Sequence, residues 1–283
     1  MTDTKNKIKI VIVAGPTASG KSDKAVNMAV AMNGEVISAD SRQVYNGLDV
    51  GTGKIKKDEM KGIRHHCLDI INIGEGFSVS DWLRHATLAI DDIVSRGKAP
   101  IICGGTGFYI DALIYGLPDN GIPDLRLRDE LQKLSLFDLE QRYKSNLNIN
   151  NNLNIDFKNK RRLIRAIEIN ESGRKIIKRN REPLYDIEYV LLNIEKEILI
   201  NNIKNRCIQR LDIMISETEN ILKDGKVDDI WLSSIGIEYK QIILYLKGGL
   251  NGRQELISSI VTKSWQYAKR QMTWNKKYVN INK

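Results

Sequence analysis

Cysteine is scarce in this 283-residue chain: Cys67, Cys103 and Cys207 stand far apart, with no Cys-x-x-Cys pair. That spacing argues against a disulfide framework and against a zinc site, and free thiols in a reducing compartment are expected. No uninterrupted apolar run reaches membrane-spanning length. The opening stretch, Met1 to Lys9, is polar and basic, without the apolar segment or cleavage pattern of a leader. A cytoplasmic protein with no membrane partner is therefore expected. No internal repeat is evident. Acidic residues are also in deficit, 35 against 44 Lys and Arg, which leaves a net charge of +9. A basic balance suits a polyanionic partner. The length allows one large domain or two modest ones with a substantial core.

What the chain does have is Gly15-Pro16-Thr17-Ala18-Ser19-Gly20-Lys21-Ser22. The residues before it, Ile8 to Ala14, form an apolar, β-branched run that reads as a buried strand. After it, Ala25, Met28, Ala29 and Met32 recur at helical spacing. Strand, glycine-rich turn and helix are the context in which Gly-x-x-x-x-Gly-Lys-Ser reads as a phosphate-binding loop. Backbone N–H groups of the turn and the helix N-terminus face the anion. Lys21 adds a point charge, and the Ser22 hydroxyl suits a phosphate-bound Mg²⁺.

Strand-like runs at Ile8–Ala14, Glu35–Ala39, Pro100–Cys103 and Tyr189–Ile194 alternate with helical patterns. One such pattern covers Ser80 to Arg96, where Trp82, Leu83, Ala86, Ala89, Ile90 and Ile93 repeat at three and four before Gly97. Alternation of this kind predicts an α/β fold, a parallel sheet covered by helices on both faces. The pattern breaks at Pro118, Asn120, Gly121 and Pro123, and an asparagine-rich stretch fills 146–154. A helical insertion over 118–184 is expected, inside a core made of 1–117 and 185–283.

Ligands of open α/β sheets bind outside the carboxyl ends of the strands. The second strand leads into Asp40-Ser41-Arg42-Gln43-Val44-Tyr45 and the third into Gly104-Gly105-Thr106-Gly107. Asp40 reads as a metal ligand or a general base, with a helix cap or turn as the bland reading. The third end lacks the acidic residue of a typical second Mg²⁺ motif. Gly104 and Gly105 instead permit close backbone approach to a ligand, and Thr106 is a donor, which suits a departing diphosphate better than γ-phosphate hydrolysis. His65 and His66 have no ligand partner at metal spacing and read as a turn entering a buried segment. Trp274 reads as core, with base stacking as the second reading because Lys269, Arg270, Lys276 and Lys277 surround it.

The positive charge is concentrated. Residues 158–181 hold ten basic and two acidic side chains. Arg161, Arg162 and Arg165 make a guanidinium edge on an amphipathic helix whose Leu163, Ala166 and Ile167 can face a core. Arginine forks suit phosphate oxygens, so this segment is expected to contact nucleic acid.

Taken in order, the motifs are those of a known family. The phosphate loop, Asp40 to Tyr45, Gly51-Thr52-Gly53-Lys54, His65-His66-Cys67-Leu68-Asp69-Ile70, Phe77-Ser78-Val79, Gly104 to Tyr109, Arg162-Leu163-Ile164-Arg165-Ala166-Ile167-Glu168 and Ala268-Lys269-Arg270-Gln271-Met272-Thr273-Trp274 together resemble the bacterial tRNA dimethylallyltransferases over nearly the whole chain. The resemblance implies a P-loop kinase-like core that binds dimethylallyl diphosphate. It implies transfer of the dimethylallyl group to N6 of the adenosine 3′ of the anticodon in the tRNA anticodon stem-loop. By position, Gly15, Pro16, Thr17, Ala18, Ser19, Gly20, Lys21 and Ser22 would hold the diphosphate with Mg²⁺, joined by Arg206 and Arg210. Asp40 would accept the amine proton and Thr106 would contact the bridging oxygen. Asp40, Ser41, Arg42, Gln43, Arg161, Arg162, Leu163, Ile164, Arg165 and the Gly236–Gln241 turn with Lys240 match segments that touch tRNA. Thr106 and Arg128 match the clamp on the extruded nucleotide. That turn carries Ile237-Glu238 ahead of Tyr239, a variant of the family form. A monomer is expected. Two other readings stay open: prenylation of free adenine nucleotides, and an ATP-binding P-loop kinase or NTPase that binds nucleic acid.

Overall fold

The structure, a computed structural model, describes residues 7–118, 124–145, 156–172, 182–278 and 281. Five strands form one parallel sheet: β1 (Lys9–Ala14), β2 (Gly34–Ser38), β3 (His65–His66), β4 (Ala99–Gly104) and β5 (Asp186–Leu191), in the order β3-β2-β4-β1-β5. Helix α1 (Lys21–Ala31) follows β1, α2 (Val79–Ser95) precedes β4, and α3 (Gly107–Tyr115) follows it. Strand β1 is buried over Ile10–Ala14, as a central parallel strand covered on both faces must be.

The register differs from the sequence expectation at two places. β3 is only two residues long and was not anticipated, because His-His carries no strand pattern. It forms because Val36 and Ile37 pair with it at the sheet edge. β5 begins earlier than expected and ends at Leu191, since its partner β1 runs only from Lys9 to Ala14. Residue Ile194 packs near Leu199 and Ile203 instead.

The chain divides into two compact units. One comprises Met1–Ile114 with Pro183–Lys283, the other Tyr115–Glu182. In the first, α7 (Lys196–Asp224), α8 (Asp229–Ile235), α9 (Ile237–Leu246) and α10 (Arg253–Asn275) make up the last third. Cys207, Leu211, Met214, Ile242, Leu256 and Ile260 form one cluster among these helices. On the sheet, the fully buried Trp82 of α2 stacks on Tyr109 at 4.6 Å and donates its indole N–H to the Ser38 carbonyl at 2.9 Å. That bond anchors the carboxyl end of β2. Ser78 and Asp81 cap α2 reciprocally.

The second unit holds α4 (Leu125–Lys133), α5 (Leu136–Ser145) and α6 (Lys160–Glu171) around Leu131, Leu139, Tyr143, Leu163, Ile164, Ala166 and Ile167. Asp124 caps α4 and Asn159 caps α6 through their side chains. Lys160 donates to the carbonyls of Gln132 and Leu134 at 2.7 and 2.6 Å, satisfying the last turn of α4. The asparagine-rich stretch and the basic residues Arg174, Lys175, Lys178, Arg179 and Arg181 lie outside the described residues. Among the described residues no helix is long and apolar enough to cross a membrane.

Candidate functional site

The phosphate loop turns between β1 and α1. Ala18 and Gly20 adopt left-handed backbone, φ 61° and 78°, which lets successive N–H groups converge on one side. Three distant residues hold the loop. Gln271 of α10 accepts the Thr17 N–H at 2.8 Å and donates to the Gly105 carbonyl at 3.0 Å. Arg206 of α7 donates to Thr17 Oγ1 at 2.7 Å, and Asn202 donates to the Ala18 carbonyl at 3.3 Å. Lys21 Nζ meets the Pro16 carbonyl at 3.3 Å. Desolvation pushes the Lys21 ammonium below its usual range, against the pull of Cys103 and Asp40. Desolvation also lowers the Arg206 guanidinium, with Arg210 and Arg42 adding to it. Cations crowded this way are held in readiness for an anion. The Ser19 hydroxyl is buried with no hydrogen-bond partner among the described residues.

The rim is completed from β2 and β4. A cleft is lined by Thr17, Lys21, Ser22, Asp40, Arg42 and Arg206, among others. A second opening lies over Ala18 to Asp23 with Arg206 and Arg210. Asp40 is 9% exposed. Its Oδ1 accepts the Arg42 backbone N–H at 3.0 Å. Arg42 donates to Glu238 at 3.2 Å and lies 5.6 Å from the Tyr267 ring centre. Desolvation works against the Arg42 charge, but Asp40 and Glu238 outweigh it and hold the guanidinium more basic than usual. Thr106 Oγ1 accepts the Ser41 N–H at 3.1 Å, and its own proton has only a 3.5 Å contact to the Ser41 hydroxyl. A donor is therefore available from Thr106. Gln43 bridges the Ser38 hydroxyl and the Gly53 carbonyl.

Gly104 and Gly105 make close backbone approaches within the protein. A Cβ at Gly104 would collide with the Ala39 carbonyl, and one at Gly105 with the Gln271 amide. The glycines make room for the strand ends and the α10 staple, and Gly104 also lines the cleft. One expectation needs correction. The side chains of Leu163 and Ile164 are buried in the core of the second unit, so only the guanidiniums of that segment are left to meet a partner. Cys103 lines the cleft, and burial pushes its thiol up to about 11, so it is no nucleophile at neutral pH.

The remaining residues fall in two places. In the second unit Arg161 and Arg162 are exposed. Arg128 grips the buried Glu168 through Nε and Nη2 at 2.7 and 2.8 Å, and Arg165 adds a contact at 3.0 Å. Two guanidiniums on one carboxylate leave local positive charge. In the first unit Lys240 is exposed on α9. Trp274 has Lys277 Nζ 3.6 Å from its ring centre and Gly107 against its edge, so one face is already occupied. His66 Nε2 donates to Glu35 at 2.8 Å, while Arg96 and Lys98 occupy the same carboxylate. Glu35, His66 and Asp92 lie within ligand distance of one another. With Arg96, Lys98 and His66 already on its two oxygens, Glu35 has its acceptor sites filled and offers none to a metal. Arg96 holds Glu35 far below the usual carboxylate range despite its burial.

Sequence reasoning missed Glu217, and knew Glu238 and Gln271 only as letters in motifs. Glu217 accepts the N–H groups of Asp49, Val50 and Gly51 and the Tyr239 hydroxyl, fixing the loop beside the cleft. No local pattern marks a contact across some 166 residues.

Known proteins resemble this chain over most of its length. The sequence model described as IPP transferase matches residues 43–278. A tRNA dimethylallyltransferase of Leuconostoc mesenteroides is 39% identical over 274 residues, 94% of this chain and 89% of that protein. The crystal structure of a tRNA isopentenylpyrophosphate transferase from Bacillus halodurans superposes with a TM-score of 0.70 at 35% identity, over 97% of this chain and 88% of that one. A eukaryotic dimethylallyltransferase, solved acting on tRNA, shares the fold at a TM-score of 0.76 and 24% identity, over 95% and 70% of the two chains.

Proposed function

The chain belongs to the IPP transferase family, and on that premise we propose that it transfers a dimethylallyl group from dimethylallyl diphosphate to tRNA, at N6 of the adenosine 3′ of the anticodon. The observation that carries the reading is the rim itself. A phosphate loop backed by Lys21 and Arg206 shares one cleft with a single carboxylate, Asp40, at the neighbouring strand end. β4 ends in glycines and Thr106 rather than in an acidic residue.

The loop N–H groups, Lys21, Arg206 and Arg210 bind the diphosphate. N6 attacks the first carbon of the dimethylallyl group as the carbon–oxygen bond breaks. The electron pair leaves with the diphosphate, whose bridging oxygen takes a hydrogen bond from Thr106. Asp40 accepts the N6 proton. An exocyclic amine is a weak nucleophile, and a positioned base is worth on the order of 10²–10⁴ in rate. The site's hydroxyls suit Mg²⁺, a hard ion that combines one protein oxygen with substrate phosphates. Ser22 would hold it, and the buried Ser19 hydroxyl is a further oxygen nearby. When bound, Mg²⁺ supplies charge neutralisation to the diphosphate. Arg161, Arg162 and Arg165 bind tRNA phosphates, which offsets the few kcal/mol needed to extrude the base, and Arg128, held on Glu168, clamps the extruded nucleotide.

The test offers purified protein, Mg²⁺ and radiolabelled dimethylallyl diphosphate to unmodified tRNA and, separately, to AMP and ATP. Label is expected only in tRNA that carries adenosine 3′ of the anticodon. Label in the free nucleotides, or ATP hydrolysis without transfer, would overturn the reading.

A further inference from the structure

The Asp40 carboxylate is held on one oxygen only. Oδ1 takes the Arg42 backbone N–H at 3.0 Å and lies 3.6 Å from Arg42 Nε. Oδ2 has no hydrogen bond among the described residues. This one-sided arrangement is not what a buried arginine beside a carboxylate adopts by default. The guanidinium fork matches both carboxylate oxygens and pairs with them bidentately when it can. Here the fork is turned away: Nη1 is spent on Glu238 Oε2 at 3.2 Å, and the plane lies over Tyr267. All three charged side chains are nearly buried, at 14%, 12% and 11% exposure for Arg42, Asp40 and Glu238. Water therefore does little to loosen the choice between partners.

We propose that Glu238 is a positioning residue for the transfer reaction: by holding the Arg42 fork, it keeps Oδ2 of Asp40 open to take the amine proton. The proposal rests on the transferase reading above, in which Asp40 is the base. Glu238 touches no reacting atom and acts through Arg42. It stands in the first turn of α9, inside the 236–241 turn, so the helix that carries the exposed Lys240 also carries this restraint. With Glu238 neutralised, the guanidinium is free to rotate onto both oxygens of Asp40. The base is then covered while the diphosphate cradle is untouched.

The bland alternative is a buried ion pair that only stabilises the fold, since removing one partner of such a pair leaves an uncompensated charge. Kinetics separates the two. Glu238→Gln keeps the size and an acceptor for Arg42 and removes the charge. It is expected to lower kcat on the order of tenfold while the KM values for tRNA and for dimethylallyl diphosphate stay within about twofold. In an Arg42→Met background, Glu238→Gln is expected to cost nothing further in kcat, because the residue it acts through is gone. If that double variant does not fold, Arg42→Lys serves as the background, since a single ammonium cannot cover both oxygens of Asp40: there Glu238→Gln is expected to cost clearly less in kcat than it does alone. An unchanged kcat in Glu238→Gln, losses that multiply in the double variant, or an effect confined to KM or to the melting temperature would overturn the proposal. An unmutated protein that labels no tRNA would instead overturn the transferase reading, and this proposal with it.

Discussion

The diphosphate cradle and the arginine helix α6 both gather positive charge, yet they are built in opposite ways. The cradle is a short local turn held by long-range staples: Thr17 meets Arg206 across 189 residues and Gln271 across 254. Its cations are desolvated and lean on one another. Helix α6 is held by its own unit, through an apolar stripe, an Asn159 cap and the grip of Arg128 and Arg165 on Glu168. Arg161 and Arg162 stay in solvent. Crowded, preorganised charge suits a small, dense anion and chemistry. Exposed charge suits a long polyanion whose phosphates are met one at a time. The difference teaches that net charge alone does not tell a catalytic pocket from a docking face. Burial and the reach of the contacts do.

The sharpest way to break this comparison is at the base. Asp40→Asn should lower transfer by about 10²–10⁴ and leave tRNA affinity near that of the unmutated protein in a filter-binding assay. Gln271→Ala attacks the cradle without touching its charge. Loss of both staple bonds should let the loop drift and lower kcat/KM for the donor by up to about a hundredfold, as measured at saturating tRNA. Replacing Arg161, Arg162 and Arg165 together by Gln should weaken tRNA binding about tenfold and make its salt dependence shallower by about two to three in the log–log slope. Donor KM should not move. A triple variant with an unchanged slope would remove the docking role from α6. The smallest effect concerns stability. The Glu35 carboxylate is held below its ordinary value near 4.5. A carboxylate depressed on folding contributes stability that is present above that value and lost as the pH falls below it. Urea titrations should show the protein losing stability below about pH 4.5, with a weaker fall in Glu35→Gln.

The two regions also differ in how far the sequence reveals them. Strand, loop and helix over 9–31 are legible because a β-branched apolar run, a glycine-rich turn and helical spacing are all local signals. The same holds for α2, expected over Ser80 to Arg96 and found at Val79–Ser95, and for the stripe of α6. Partners set by tertiary contact were not legible. β3 exists only because β2 offers it an edge. That Ala39 and Gln271 fill the space above Gly104 and Gly105 is likewise set by tertiary contact. Leu163 and Ile164 share a motif with the arginines, yet a helix puts neighbouring residues on different faces, and these two face the core. Glu217, Glu238 and Gln271 carry no signal of their own, since a lone Glu or Gln on a helix reads as solvent-facing. The roles of Asp40 and Thr106 were suggested by strand-end position and sharpened by resemblance. The Arg42–Glu238 restraint needed coordinates.

The separation of labour between cradle and helix is tested most directly by calorimetric titration of dimethylallyl diphosphate with Mg²⁺, in the absence of tRNA. The account predicts that the unmutated protein and the Arg161, Arg162, Arg165 triple variant bind the donor alike, and that Lys21→Ala does not bind it. Donor binding that survives Lys21→Ala, or that disappears with the α6 arginines, would contradict it.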